Sequence, residues 1–249
     1  MAALIHQSLL YMHVIIGSLA LVVFWLPMLA KKGSKNHKKF GRAFVYGMYA
    51  VSLSSFAMAV IVLLDPIAAK APDRQLSPEA AANLVYNSRV ISGFLLMLSV
   101  LVFSNTRHSI LVLAAKADRH LLKSLPHVGL LVALAVIALV VGGIGWHQGI
   151  LLLKIFSALS LANAVVMLHY IFKANIKQRE WIVAHLGNIL GAGIGAYTAF
   201  FAFGGSRLFA DLLQSHYLLM FWVLPGLIGG IGTAYLGRKY RLQFKITDA

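Results

Sequence analysis

Histidine is the residue type in this sequence best suited to chemistry. Ten are present against seven Asp and Glu and no Cys, which rules out disulfides, thiolate metal sites, iron–sulfur clusters and covalently attached c-type haem. Any metal must be held by imidazole, carboxylate, Asn or backbone oxygen, and any haem must be non-covalent. So few carboxylates argue against a hydrolytic site built on a hard metal, because neutral imidazoles offer no obvious general base.

The spacing of these histidines sorts them by depth. Counted from the middle of the apolar run that carries each, His108, His169 and His185 lie about 12 Å to the basic side of the centre at about 1.5 Å per residue, with His127 slightly further out. Four runs therefore each bring one histidine to a similar level. Helical phase places Ala158, Ala162, Val165 and His169 on one stripe, and small residues mark helix contacts in membranes, so this stripe is expected to face protein. Ser104, Asn105 and His108 share a sector with Gly93 and Met97, and His185, Asn188, Ala192 and Ala196 share another. Asn105 beside His108 and Asn188 beside His185 supply hydrogen bonds that could fix the imidazole orientation.

Three readings of the layer stand open. In the first, two imidazoles hold a b-type haem, His169 and His185 being the first choice and His108 the alternate. In the second, three or four of His108, His127, His169 and His185 hold a divalent metal. In the third, the histidines hydrogen-bond to carbonyls or headgroups and bind nothing. His6 and His13 are one heptad apart with Gly17 and Ala20 on their stripe, so His13 is a further candidate haem ligand, paired with His147 or His216.

The elements that must position these residues are membrane helices. The chain has 249 residues, 60% hydrophobic and 12% charged, with a mean hydropathy of +0.81, which excludes a soluble globule. Apolar runs long enough to span, roughly 17 to 25 residues each, occur at about 4–30, 43–64, 88–112, 127–146, 150–172, 182–203 and 217–236. The expected fold is all-α, a single polytopic transmembrane bundle of seven helices covering 1–249, with a connection at 65–87. Trp146-His147-Gln148-Gly149 is expected to separate the fourth and fifth helices, whose merging is the chief alternative. The first run is read as a transmembrane helix and not a cleavable signal, because MAALIHQ lacks a basic n-region.

A net charge of +15 would suggest nucleic acid in a soluble chain. Here most Lys and Arg fall in alternate connections and the tail (Lys31 to Arg42, Arg107 to Lys123, Lys173 to Arg179, Arg238 to Lys245). They are read as topology signals and contacts to anionic headgroups, with no nucleic-acid role. The N-terminus and the 65–87 connection are thereby expected outside, and the C-terminus in the cytoplasm. Ser77-Pro78-Glu79 reads as a helix start and Pro126 as the first turn of the fourth helix with Ser124 as its cap. Gly187, Gly191 and Gly195, with Gly226, Gly229, Gly230 and Gly232, read as faces for close helix packing or for a membrane-protein or homo-oligomeric partner. Arg89 and Lys154 sit near helix ends and can snorkel, and Lys154 has no acidic neighbour, which disfavours a retinal Schiff base.

The stretch KKGSKNHKKFGRAFVYGMY, Lys31 to Tyr49, follows a helix carrying His13 and Gly17. His13, His37, Gly41 and Arg42 form an H…H-x-x-x-G-R pattern that resembles the opening of an uncharacterised bacterial family of multi-pass membrane proteins, domain of unknown function 2306. The resemblance covers about the first quarter of the chain and implies a bacterial cytoplasmic membrane protein with no activity to carry over. On physical grounds Gly41 would permit a tight entry into the second helix, Arg42 would contact phosphate, and His37 would be a solvated loop residue, the alternative being a cap.

Three functional classes follow. The first is a redox or electron-transfer protein with haem b. The second is a small-solute transporter or channel lined by His13, Asn163, Asn188 and Tyr197, whose neutral polar groups suit a weakly charged solute. The third is a non-catalytic assembly or sensor subunit.

Overall fold

A computed structural model of the protein describes residues 1–205 and 218–246. Among them it is helical without strands. The helices are α1 (Ala2–Leu29), α2 (Lys35–Leu64), α3 (Pro66–Lys70), α4 (Pro78–Ala115), α5 (Leu125–His147), α6 (Leu151–Phe172), α7 (Glu180–Ala199) and α8 (Leu218–Gln243). A 3-10 turn at Arg119–Lys123 joins α4 to α5, and a π-helical segment at Phe200–Gly205 extends α7. Seven of these helices are long and apolar enough to cross a membrane, and the chain is an integral membrane protein. Their outward surfaces carry large apolar side chains, such as Leu19, Val22 and Trp25 on α1 and Leu227, Ile228 and Ile231 on α8. Lipid is the solvent that makes this stable.

Several boundaries differ from the sequence reading. α2 begins at Lys35, eight residues before the expected start at 43, because Ser34 accepts a hydrogen bond from the His37 amide at 3.2 Å and starts the helix inside the lysine-rich segment. Gly41 is therefore inside α2, and a Cβ there would meet nothing within 4 Å, so it makes no tight entry. α4 begins at Pro78, ten residues before the expected 88, and Ser77 accepts from the Ala80 amide at 3.2 Å. Arg107, counted with a connection, lies inside α4. α8 runs past 236 to Gln243.

The described chain packs as two compact units. The first comprises Met1–Phe103 and Leu134–Leu161. Within it α1 lies along α2: a Cβ on Gly47 would stand 3.3 Å from that of Ala20, and Phe24 meets Phe44 at 5.4 Å. α3 starts on Asp65, whose carboxylate accepts from the Ala68 amide. The Lys70 ammonium at its end is pulled below the usual lysine range by burial. In the same unit the Ser157 hydroxyl donates to the Met97 sulfur at 3.6 Å, and Phe94 meets Phe156 edge-on at 5.6 Å.

α5 and α6 are separate helices, closed by a tight hairpin. Gly149 has φ +70, and the Ile150 amide returns to the Gly145 carbonyl at 2.9 Å, which closes the end of α5 in the manner of a Schellman turn. A Cβ on Gly145 would stand 2.7 Å from the Leu153 Cβ and 3.1 Å from the Lys154 nitrogen. The second unit comprises Ser104–Ala133 and Ala162–Ala249. Its core joins Val112, Ala115, Leu122, Leu131, Met167, Tyr170 and Ile171. α7 packs on α8, where Gly229 accommodates the Ile194 side chain.

The hairpin yields a direct test. Gly145→Val should destabilise the folded protein by about 1–3 kcal/mol through overpacking, and Gly149→Val by about 1–2 kcal/mol through the left-handed backbone. Gly143→Ala, where a Cβ meets nothing within 4 Å, should leave the thermal midpoint in detergent unchanged.

Candidate functional site

α4 and α5 bring His108 and His127 together. Asp118 accepts from the His120 amide at 3.0 Å and starts the 3-10 turn, and Lys116 takes a left-handed conformation with φ 51 just before it. Fully buried Leu122 pins that turn into the core with Val112 and Leu131. The chain thereby reverses within a few residues, and the two imidazoles meet. His108 Nδ1 lies 3.0 Å from His127 Nε2, with ring centroids 5.2 Å apart and planes 26° from parallel. Both residues are essentially inaccessible, at 1% and 0% exposure.

Tyr170 on α6 stands edge-on to His108, with centroids 5.8 Å apart at 79°. Its backbone is held from the 3-10 turn by Arg119, which donates to the carbonyls of Tyr170, Ile171, Lys173 and Ala174 at 2.6–3.2 Å. These carbonyls lie where α6 ends, so Arg119 supplies the donors that the helix cannot. The Lys173 ammonium sits 5.5 Å from the centre of the Tyr170 ring and is paired with Glu180. Glu180 also accepts from the Lys177 amide at 2.8 Å at the start of α7.

Among the described residues five buried polar atoms have no hydrogen-bond partner: His127 Nδ1, the Tyr170 hydroxyl, Ser104 Oγ, Arg107 Nε and Ser160 Oγ. Ser104 is one helical turn from His108 on α4, and Arg107 is the chain neighbour of His108. Each unpaired buried group of this kind costs about 1–3 kcal/mol. His127 Nδ1 belongs to the imidazole pair and the Tyr170 ring stands against it, which makes the pair the candidate functional site.

His185 does not join the pair. Its Nδ1 bonds to the Ser109 carbonyl at 3.0 Å, anchoring α7 to α4, while Asn188 donates to Ala184 in its own helix at 2.7 Å and leaves His185 unsupported by it. Asn105 lies where Gly191 makes room: a Cβ on Gly191 would stand 2.9 Å from Asn105 Oδ1. Of the expected glycine faces, Gly187, Gly226, Gly230 and Gly232 have nothing within 4 Å of an added Cβ. The expected inward stripe of α6 is overturned, because Ala158, Ala162, Val165 and His169 are all exposed and Ser157, Ser160, Ala164, Met167 and Ile171 are buried. α6 is apolar on all sides, so alanine spacing carried no information on which side meets protein. Among the described residues no group of three or more His, Asp or Glu is gathered closely enough to hold a metal ion. The layer of His108, His127, His169 and His185 is thus one bonded pair and two separate imidazoles.

In the first unit, His13 Nδ1 lies 3.0 Å from both the Val51 carbonyl and the Ser54 hydroxyl, tying α1 to α2. His37 is not a solvated loop residue. Its Nδ1 reaches the Pro27 carbonyl at 3.0 Å, where Lys32 also donates, at 3.0 Å to Pro27 and 2.7 Å to Met28. Burial pulls the Lys32 ammonium below its usual range. His147 is exposed, Lys154 lies over Trp146 at 4.7 Å, Arg89 is exposed and Asn163 and Tyr197 are partly buried. His216, proposed above as a partner of His13, lies outside the described residues.

Sequence reasoning missed Tyr170, Arg107 and Arg119. The signal for Tyr170 was adjacent: it follows His169, and a rotation of about 100° per residue separates the exposed histidine from the buried tyrosine. Comparison with family models, with characterised proteins and with solved structures finds no match.

Arg119→Ala should lower stability by about 1.5–3 kcal/mol, the range for hydrogen bonds from a charged donor, seen as a reduced thermal midpoint. Arg119→Lys should recover only part of it, since one ammonium cannot replace a planar fork spread over four carbonyls.

Proposed function

We propose that this membrane protein is a proton-coupled small-solute transporter, with the His108–His127 pair as its proton-exchange site. The observation that carries this reading is the buried 3.0 Å bond between the two imidazoles, flanked by an unpartnered His127 Nδ1 and Tyr170 hydroxyl. One nitrogen must donate and the other accept, so the two rings cannot both be fully protonated while the bond persists. A proton taken up at His127 Nδ1 allows the Nε2 proton to pass to His108 Nδ1, and His108 then releases a proton from its other nitrogen. Charge enters on one ring and leaves from the next without either side chain moving far. Ionisable groups inside a membrane face a desolvation cost and mark proton or substrate paths.

A second reading, an electron-transfer protein with b-type haem, draws on His185, which places Nδ1 on the Ser109 carbonyl, the arrangement that orients an imidazole to coordinate through Nε2. His108 and His127 do not fit as two axial ligands, because nitrogens sharing a hydrogen at 3.0 Å leave no room for iron between them. His169, its other first-choice ligand, is exposed. An absorption spectrum decides: a Soret band that disappears in both His169→Ala and His185→Ala would favour haem over proton exchange.

The basic connections support a topology with the N-terminus outside and the C-terminus in the cytoplasm, and the expected membrane is a bacterial inner membrane. With no native Cys, single-cysteine reporters test this: Gln75→Cys should react with an impermeant maleimide on intact cells, and Asn175→Cys only after permeabilisation.

In proteoliposomes under an imposed potassium diffusion potential, protein should increase proton uptake, read by an internal pH dye. His108→Ala or His127→Ala should reduce uptake at least tenfold, with a smaller loss for Tyr170→Phe. Uptake no greater than in protein-free vesicles, across candidate solutes, would overturn the reading.

A further inference from the structure

α2 opens on a run of cations with no anion near it in the chain. No Asp or Glu occurs before Asp65, while Lys35, Lys38, Lys39 and Arg42 fall in about the first two turns of the helix. At about 100° per residue, Lys35, Arg42, Tyr46 and Leu53 lie within about 20° of one line along α2, with Lys38 and Lys39 on either side of it. All of these side chains are exposed. Phe44, Met48 and Val62, on the opposite side, are buried. The cations form no ion pair among the described residues.

The level of this stripe is set by the end of α1. His37 Nδ1 reaches the Pro27 carbonyl at 3.0 Å, and Lys32 donates to the carbonyls of Pro27 and Met28. The first turn of α2 therefore lies beside the last turn of α1, where the apolar run gives way to Lys31 and Lys32. Lys35 and Lys38 stand at that boundary. Arg42 is about 7 Å further along the axis than His37 at about 1.5 Å per residue, so its guanidinium must reach back toward the surface or take an anion to itself. Tyr46, 68% exposed, and Leu53, 55% exposed, continue the same stripe. From its end inward the face presents cation, phenol and hydrocarbon, the order in which a phospholipid presents phosphate, glycerol ester and acyl chain.

We propose that this face of α2 holds an anionic phospholipid, its phosphate against Lys35, Lys38 and Arg42 and an acyl chain along Tyr46 and Leu53. The three cations follow one another at spacings of three and four residues, which makes them neighbours on a helix surface, so no rearrangement is needed to bring them to one headgroup. A zwitterionic lipid brings no net charge to set against them. A soluble polyanion would meet the lysines but leave the apolar half of the stripe unused. The surface belongs to the first unit and does not depend on the reading of the histidine pair.

For the test, the full chain is purified in detergent, stripped of lipid and mixed with dioleoyl phosphatidylglycerol or dioleoyl phosphatidylcholine, retained lipid being read by native mass spectrometry. Phosphatidylglycerol should be retained at least tenfold more than phosphatidylcholine. Lys35→Gln, Lys38→Gln and Arg42→Gln together should reduce its retention at least tenfold, and Tyr46→Ala severalfold. Lys123→Gln, Arg238→Gln and Lys239→Gln together, which remove as many exposed cations from other segments, should leave retention largely intact. Helical circular dichroism equal to that of the parent shows that each variant is folded; if the triple α2 variant does not fold, Arg42→Gln alone serves, with a severalfold loss expected. Equal retention of the two lipids, equal losses in the two triple variants, or undiminished retention in a folded α2 variant would overturn the proposal. Displacement of the lipid by an equal concentration of glycerol 3-phosphate would overturn it in favour of a site for soluble phosphates.

Discussion

Hydrocarbon offers no hydrogen bonds, so each polar group that enters the bilayer must bring its partner with it. Helices meet this demand along their length but not at their ends, where the final carbonyls and first amides have no partner in the helix. This chain resolves its ends with side chains from neighbouring segments. His37 and Lys32 return to the carbonyls of Pro27 and Met28 at the end of α1, Arg119 closes α6, and Glu180 receives the Lys177 amide at the head of α7. Several of the basic residues that read as orientation signals therefore also work as caps. The two roles are compatible, because the last turn of a helix is where both its negative dipole end and the headgroups lie.

Against that rule of satisfaction, the cluster around His108 and His127 stands apart. Its central bond is satisfied, but His127 Nδ1 and the Tyr170 hydroxyl are not. The construction around it is rigid: a short 3-10 turn with Leu122 buried beneath it, and a fork of Arg119 bonds fixing the α6 backbone that carries Tyr170. A site that holds unsatisfied donors needs such support, because the alternative is for the helices to shift until the donors find partners. The energy of the cluster is thus sustained by Arg119 and Leu122, neither of which faces the imidazoles with a functional group.

Much of the fold was legible in the sequence because seven apolar runs exceed the span threshold and nothing else explains them. Orientation of side chains was not. In water an amphipathic helix shows its buried face by polarity, but Val165 and Leu159 on the exposed side of α6 are as apolar as Met167 and Ile171 on the buried side. His169 was consequently preferred over Tyr170. Depth counting placed His108 and His127 near each other in level, yet their pairing depends on the geometry of the 116–124 connection, which periodicity does not encode. The early start of α2 was hidden because a lysine-rich segment reads as a loop unless the Ser34 cap is recognised. Gly149 was readable because a glycine between two apolar runs has few other uses, and its φ of +70 matches that role.

α4 is one uninterrupted helix of 38 residues. At about 1.5 Å per residue it extends for about 57 Å, against a hydrocarbon layer about 30 Å thick. Tilt alone does not absorb such an excess, since helices usually lean by about 20°. The surplus falls in the first turns, where Glu79, Asn83, Asn87 and Arg89 are suited to the headgroup layer and the water beyond it. The same helix that carries His108 is therefore longer than one bilayer crossing needs, and its first turns continue the membrane span as one unbroken rod.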